Sequence, residues 1–151
     1  MQQIIVAYDG TESAKRALER GADVAKAFDA KVIVTSVAYL LHSGPRADQQ
    51  VELHSPPGSG PEIQRDSLAD HEAELADATA FFAERGIDAE PVAVAGDPAS
   101  AIVSLAEQRK ADLVVVGTRE AGLAERVMRH SVSLQVAKKV HCDLLIVHPH
   151  R

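Results

Sequence analysis

The chain has no tryptophan, two tyrosines and three phenylalanines among its 151 residues. Its core must therefore be assembled from Val, Leu, Ile and Ala, side chains suited to a parallel sheet covered by helices. So few aromatics leave little on which unpaired bases can stack, which argues against single-stranded nucleic acid as a partner. Cysteine is nearly absent as well. Cys142 stands alone, so no internal disulfide can form, as befits a reducing cytoplasm. Positive charge is in deficit, with 16 Lys and Arg against 22 Asp and Glu and a net of −6, which disfavours attraction to a phosphate backbone. No apolar run approaches the roughly 20 residues that span a bilayer. Met1-Gln2-Gln3 leads into a short apolar run without the basic start of a secretory signal. The expectation is a cytoplasmic protein of one domain, covering residues 1–151, with neither nucleic acid nor membrane as partner.

What is present alternates between two periodicities. Ile4 to Tyr8, Lys31 to Tyr39, Leu113 to Val116 and Leu144 to Val147 are short apolar runs rich in β-branched residues, read as buried strands. Pro91 to Ala95 is a fifth run, weakened by its leading proline. Between the first two, Ala14, Ala17, Leu18, Gly21, Ala22, Ala25 and Phe28 recur at helical spacing. Leu68, Leu75, Ala78 and Phe82 mark a second helix running to about Arg85, with Gly86 placed to end it. Asp97-Pro98 reads as N-cap and first helical residue of a third, whose buried face is Ile102, Leu105 and Ala106. Val132, Val136 and Val140 mark a last helix starting near Ser131. Residues 41–66 carry Gly44-Pro45, Pro56-Pro57-Gly58 and Gly60-Pro61 and read as a mobile surface loop. Strand and helix alternate throughout, so the fold class is α/β: a five-stranded parallel open sheet with helices on both faces.

In such a sheet a ligand sits beyond the C-terminal strand ends, where strand order reverses. The loops after strands one and four are the natural candidates, Asp9-Gly10-Thr11-Glu12-Ser13 and Gly117-Thr118-Arg119-Glu120. With IIVAYDGTESAKRAL at the start, GDPASAI in the middle and ADLVVVGTR…SVSLQVAKKVHCDLLIVHP at the end, the chain resembles the universal stress protein family over essentially its whole length. The resemblance implies a Rossmann-like fold and an adenine-nucleotide site built from Asp9, Gly10, Val37, Gly117, Thr118, Arg119, Ser131 and Val132. Asp9 matches the acidic residue after strand one, and Val37 a residue whose backbone neighbours the adenine. ATP-binding members carry a loop of the form G-x2-G-x9-G-S/T. Here Gly117 and Ser131 match its ends, while Glu120 and His130 occupy the second and third glycine positions.

Both departures weaken a phosphate cradle. Glycine lets backbone N–H groups close on a phosphate, and histidine adds bulk at a helix N-terminus that would otherwise face it. At about 5 Å and an effective dielectric of about 20, a carboxylate repels each phosphate charge by roughly 3 kcal/mol. Arg119, Arg126 and Arg129 offset this only if they turn inward; Gly122 is out of register with the motif. The resemblance thus leads to a stress-response regulatory or interaction protein with no turnover, no required cofactor and weak binding of ATP, ADP or AMP. The alternative is an ATP- or AMP-binding sensor or slow ATPase. The resemblance also implies a homodimer through the last strand, besides a protein partner the sequence does not name.

Other clusters point to plainer roles. His148 and His150, even with His42 or His54, lack the accompanying Cys or carboxylate set of a metal site, so no metal is expected. Ser131, Ser133 and His130 lack a nucleophile elbow, and no catalytic residue is expected. Cys142 reads as a small structural side chain. Arg126, Arg129, Lys138 and Lys139 read as a solvated basic face.

Overall fold

The computed structural model describes residues 1–38, 61–118 and 131–150. Its elements follow in the order β1 (Gln3–Ala7), α1 (Glu12–Phe28), β2 (Lys31–Ala38), α2 (Pro61–Ala83), β3 (Ala89–Ala95), α3 (Pro98–Arg109), β4 (Leu113–Gly117), α4 (Val132–Lys139) and β5 (Asp143–Val147). The strands form one sheet in the order β3-β2-β1-β4-β5, and every neighbouring pair is parallel. Strand order therefore reverses between β1 and β4.

The β-branched runs sit at the centre of the sheet because both of its faces are covered. Ile4, Val6, Val32, Val34 and Val115 pack beneath α1 and α2, which contribute Ala17, Leu18, Ala22, Leu75, Ala78 and Phe82. Ile5, Ile33, Val114 and Val116 face the other way, against Ile102, Leu105, Ala106 and Val136 of α3 and α4. Alternate residues of one strand thus feed two separate cores, so the runs are apolar throughout rather than alternating.

The helix ends combine foreseeable and unforeseen chemistry. Asp97 caps α3 by accepting the Ser100 N–H at 2.9 Å, with Pro98 at the first helical position. That hydrogen bond, from backbone to carboxylate, is the main cause that lowers the Asp97 pKa. Beyond α2, Gly86 N–H reaches the Ala83 carbonyl and Ile87 N–H the Phe82 carbonyl, both at 3.0 Å, the paired bonds of a Schellman ending. Helices α1 and α3 end in the same left-handed turn, but at Asp29 and Lys110, each with φ of 52°.

Three sequence expectations change. Helix α2 begins at Pro61, so residues 61–66 are helix rather than loop; a proline is tolerated at a first helical position, and no breaker follows it. Residues 41–60 of the expected loop lie outside the described residues. Strand β3 begins two residues before Pro91, as an edge strand can accommodate a missing N–H. Phe28 is 57% exposed, because α1 ends there and the chain turns away at Asp29.

Candidate functional site

Register brings the two expected loops together. Ala7 pairs with Thr35 and Val6 with Val115, so Asp9 follows β1 at the level of Val37 on β2, beside the end of β4. Tyr8 N–H extends the ladder by donating to the Thr35 carbonyl at 2.9 Å. Asp9, Gly10, Val37, Gly117 and Thr118 therefore share the C-terminal edge of the sheet at its switch point, where open α/β sheets place ligands.

Asp9 is exposed and organises the entry to α1. Its Oδ1 accepts the Thr11 N–H at 3.1 Å and the Thr11 hydroxyl at 2.5 Å. Thr11 Oγ1 in turn accepts the Ala14 N–H at 3.3 Å as the N-cap. Asp9 is thus a helix-entry residue, and among the described residues its Oδ2 has no hydrogen-bond partner. Gly10 has φ of +78°, in the left-handed region that glycine enters without steric cost.

Gly117 is placed by packing. A Cβ on it would lie 2.6 Å from the Ser13 carbonyl carbon and 2.8 Å from Ala14 N, so β4 meets the first turn of α1 backbone to backbone. Thr118 N–H donates to the Val147 carbonyl at 2.8 Å, and Thr118 Oγ1 lies 3.4 Å from His148 Nδ1. Arg16 of α1 donates to the His148 carbonyl. The last turn of β4, the end of β5 and α1 are thereby tied at one point.

On the far side, Ser131 begins α4 as its N-cap without making a side-chain capping bond. Its hydroxyl lies 2.8 Å from that of Ser133, which is buried, and Val132 is half-buried. Arg119, Glu120, Gly122, Arg126, Arg129 and His130 lie outside the described residues, as do His42 and His54. Among the described residues, no group of three or more His, Cys, Asp or Glu is arranged to hold a metal ion. Burial raises the Cys142 pKa, which makes it a weak nucleophile.

The sequence reading missed a polar network at the same edge, on the α2 side. Ser36 is 1% exposed; its hydroxyl donates to Glu74 Oε2 at 2.6 Å and lies 2.5 Å from His71 Nδ1. His71 Nδ1 also lies 3.2 Å from Glu74 Oε2, so the three side chains form one polar cluster. Tyr8 is nearby, and burial, followed by the charges of Asp77, Glu74 and Asp9, raises its pKa. Thr35-Ser36, two hydroxyl residues inside an apolar strand, and the i,i+3 spacing of His71 and Glu74 are the signals that point to this network.

A parallel sheet covered on both faces, with Asp9-Gly10 and Gly117-Thr118 following neighbouring strands at its switch point, belongs to the Rossmann-like class. The sequence model of the universal stress protein family matches residues 1–148. The chain belongs to that family. It is 32% identical to universal stress protein Rv1636 of Mycobacterium tuberculosis over 145 residues, covering 96% of this chain and 94% of the relative. It is 30% identical to universal stress protein MJ0531 of Methanocaldococcus jannaschii, over 97% of this chain and 81% of the relative. Among solved structures, a universal stress protein in complex with cAMP superposes with a TM-score of 0.74 at 29% identity, covering 99% of this chain and 98% of that one. A universal stress protein from Archaeoglobus fulgidus superposes at 0.72 with 21% identity, over 97% and 93%. No helix among the described residues is long and apolar enough to cross a membrane.

Proposed function

We propose that this chain is a non-catalytic regulatory protein of the stress response whose site keeps its adenosine end and has lost most of its phosphate cradle. It acts in the cytoplasm as a homodimer, signals through a protein partner, and requires no cofactor. The observation that carries this reading is the packing of Gly117 against Ser13 and Ala14. The one motif glycine that remains is packed against the backbone of α1, so its presence alone is no sign of a preserved phosphate site. Glu120 and His130 stand at the other two positions, where a carboxylate and a bulky ring oppose a polyphosphate. At the opposite end, Asp9 stands at the level of Val37 with a carboxylate oxygen that has no partner among the described residues, suited to an amine or hydroxyl donor. The cAMP bound by a 29%-identical relative carries a single cyclic phosphate, in keeping with a site driven by the nucleoside.

A second reading, an ATP-binding sensor or slow ATPase, draws support from one feature. The first N–H groups of α4 have no side-chain cap from Ser131, and uncapped N–H groups attract anions.

The adenosine reading makes Asp9 indispensable. Asp9→Ala removes a charged acceptor, which should lower adenosine or AMP affinity at least about tenfold, read by calorimetry on protein of unchanged circular dichroism. An affinity equal to that of the unmodified protein removes Asp9 from the site.

A further inference from the structure

The Ser36–His71–Glu74 network leaves one carboxylate oxygen without an assigned task. Glu74 Oε2 takes the Ser36 proton at 2.6 Å and lies 3.2 Å from His71 Nδ1. Oε1 makes neither of these contacts. It is the atom that a Cβ on Gly10 would meet, at 3.8 Å, so it stands against the turn that carries Asp9. The Glu74 side chain is 26% exposed and that of His71 18%, and Ser36 is almost wholly buried. Glu74 is therefore held by a buried hydroxyl and is still partly open to solvent. Ten residues of α2 precede His71, about 15 Å of helix.

We propose that Glu74 is a specificity-determining residue of this edge: Oε1 accepts a hydrogen bond from the ribose 2′-hydroxyl while Asp9 serves a second donor of the same nucleoside. Ser36 and His71 are its positioning residues. The proposal rests on the adenosine reading of the site and adds the sugar as the part recognised. Among the described residues, Asp9 Oδ2 and Glu74 Oε1 have no hydrogen-bond partner, both belong to the surroundings of Gly10, and a vicinal diol would offer such a pair two O–H donors. A glycine at position 10 keeps the gap clear of a side chain. Ionised carboxylates accept and do not donate, so the pair selects hydroxyl groups over further phosphate oxygens. This fits a site whose phosphate end is already weakened.

The test is calorimetric titration of the full chain with adenosine and with 2′-deoxyadenosine, repeated on Glu74→Gln, Glu74→Asp and Asp77→Asn. The unmodified protein is expected to prefer adenosine by about tenfold, the scale of one hydrogen bond to a charged acceptor. Glu74→Gln, which keeps the shape and can still accept the Ser36 proton, should bring that preference to about twofold or less. Glu74→Asp, one methylene short, should do the same and serves if the glutamine variant folds poorly. Asp77→Asn changes the same charge without touching Ser36 and should keep the preference. A preference that survives both Glu74 variants overturns the role of Glu74 while leaving the adenosine site intact. Equal affinity for the two nucleosides in the unmodified protein overturns sugar recognition. Binding of neither overturns the adenosine reading and this proposal with it.

Discussion

Gly117 and Ser13 approach so closely that a single added methyl group would fall 2.6 Å from the Ser13 carbonyl carbon. The contact joins β4 to the first turn of α1, the two elements that flank the switch point.

Gly117→Ala tests that structural role directly. The overlap is with backbone, which cannot be relieved by rotating a side chain, so strand or helix must shift. Overpacking of this kind costs about 1–3 kcal/mol, and the midpoint of urea unfolding should fall accordingly with no nucleotide present. An unchanged midpoint would show that the glycine is dispensable to the fold.

Asp112 supplies a second link at the opposite end of the sheet. Its Oδ2 accepts the Gln2 and Gln3 N–H groups at 2.6 and 2.9 Å, and these bonds hold its pKa below the ordinary carboxylate value. The folded pKa lies below the unfolded one, so its contribution is present above the unfolded value of about 3.9 and fades as pH falls through the folded value. Melting temperatures of the unmodified protein and Asp112→Asn should differ by a constant amount near neutrality and converge below roughly pH 4. A difference that stays the same down to about pH 2 would contradict this assignment.

How legible was all this in the sequence? The strands were, because runs such as Ile4-Ile5-Val6 and Val114-Val115-Val116 have no face that tolerates water. The class and the switch-point loops followed from their order. Helix ends were legible only where the local chemistry is special: Asp97-Pro98 announces a start and Gly86 an end. Asp29 and Lys110 carry no comparable signal, although both take the left-handed conformation that glycine enters most easily. The Asp9 turn was visible, whereas the Ser36–His71–Glu74 network joins residues 35 and 38 positions apart. No local pattern encodes such a contact, and Gly117 was read as a phosphate-loop glycine when its nearest partner is the backbone of α1.

The proposed dimer rests on β5. This strand has β4 on one side and no further strand among the described residues on the other, and Leu144, Leu145 and Ile146 are only half-buried. An apolar edge with unpaired backbone groups invites pairing, and a twofold axis satisfies both copies at once. The unmodified protein is expected to be a dimer by light scattering at micromolar concentration, and Ile146→Pro, which deletes a backbone donor, a monomer or an aggregate. A monomeric unmodified protein would refute the assembly.

The central claim is that binding energy lies with the nucleoside rather than the polyphosphate, and the ratio of AMP to ATP affinity measures it most directly. In a paired variant, Glu120→Gly with His130→Gly, ATP should bind at least about tenfold tighter than it binds the parent, because a repulsion is lifted and the start of α4 is opened. For the unmodified protein, calorimetric titration under one buffer should give AMP a dissociation constant no larger than that of ATP. Saturable ATP binding at micromolar concentration, clearly tighter than AMP, would contradict the account.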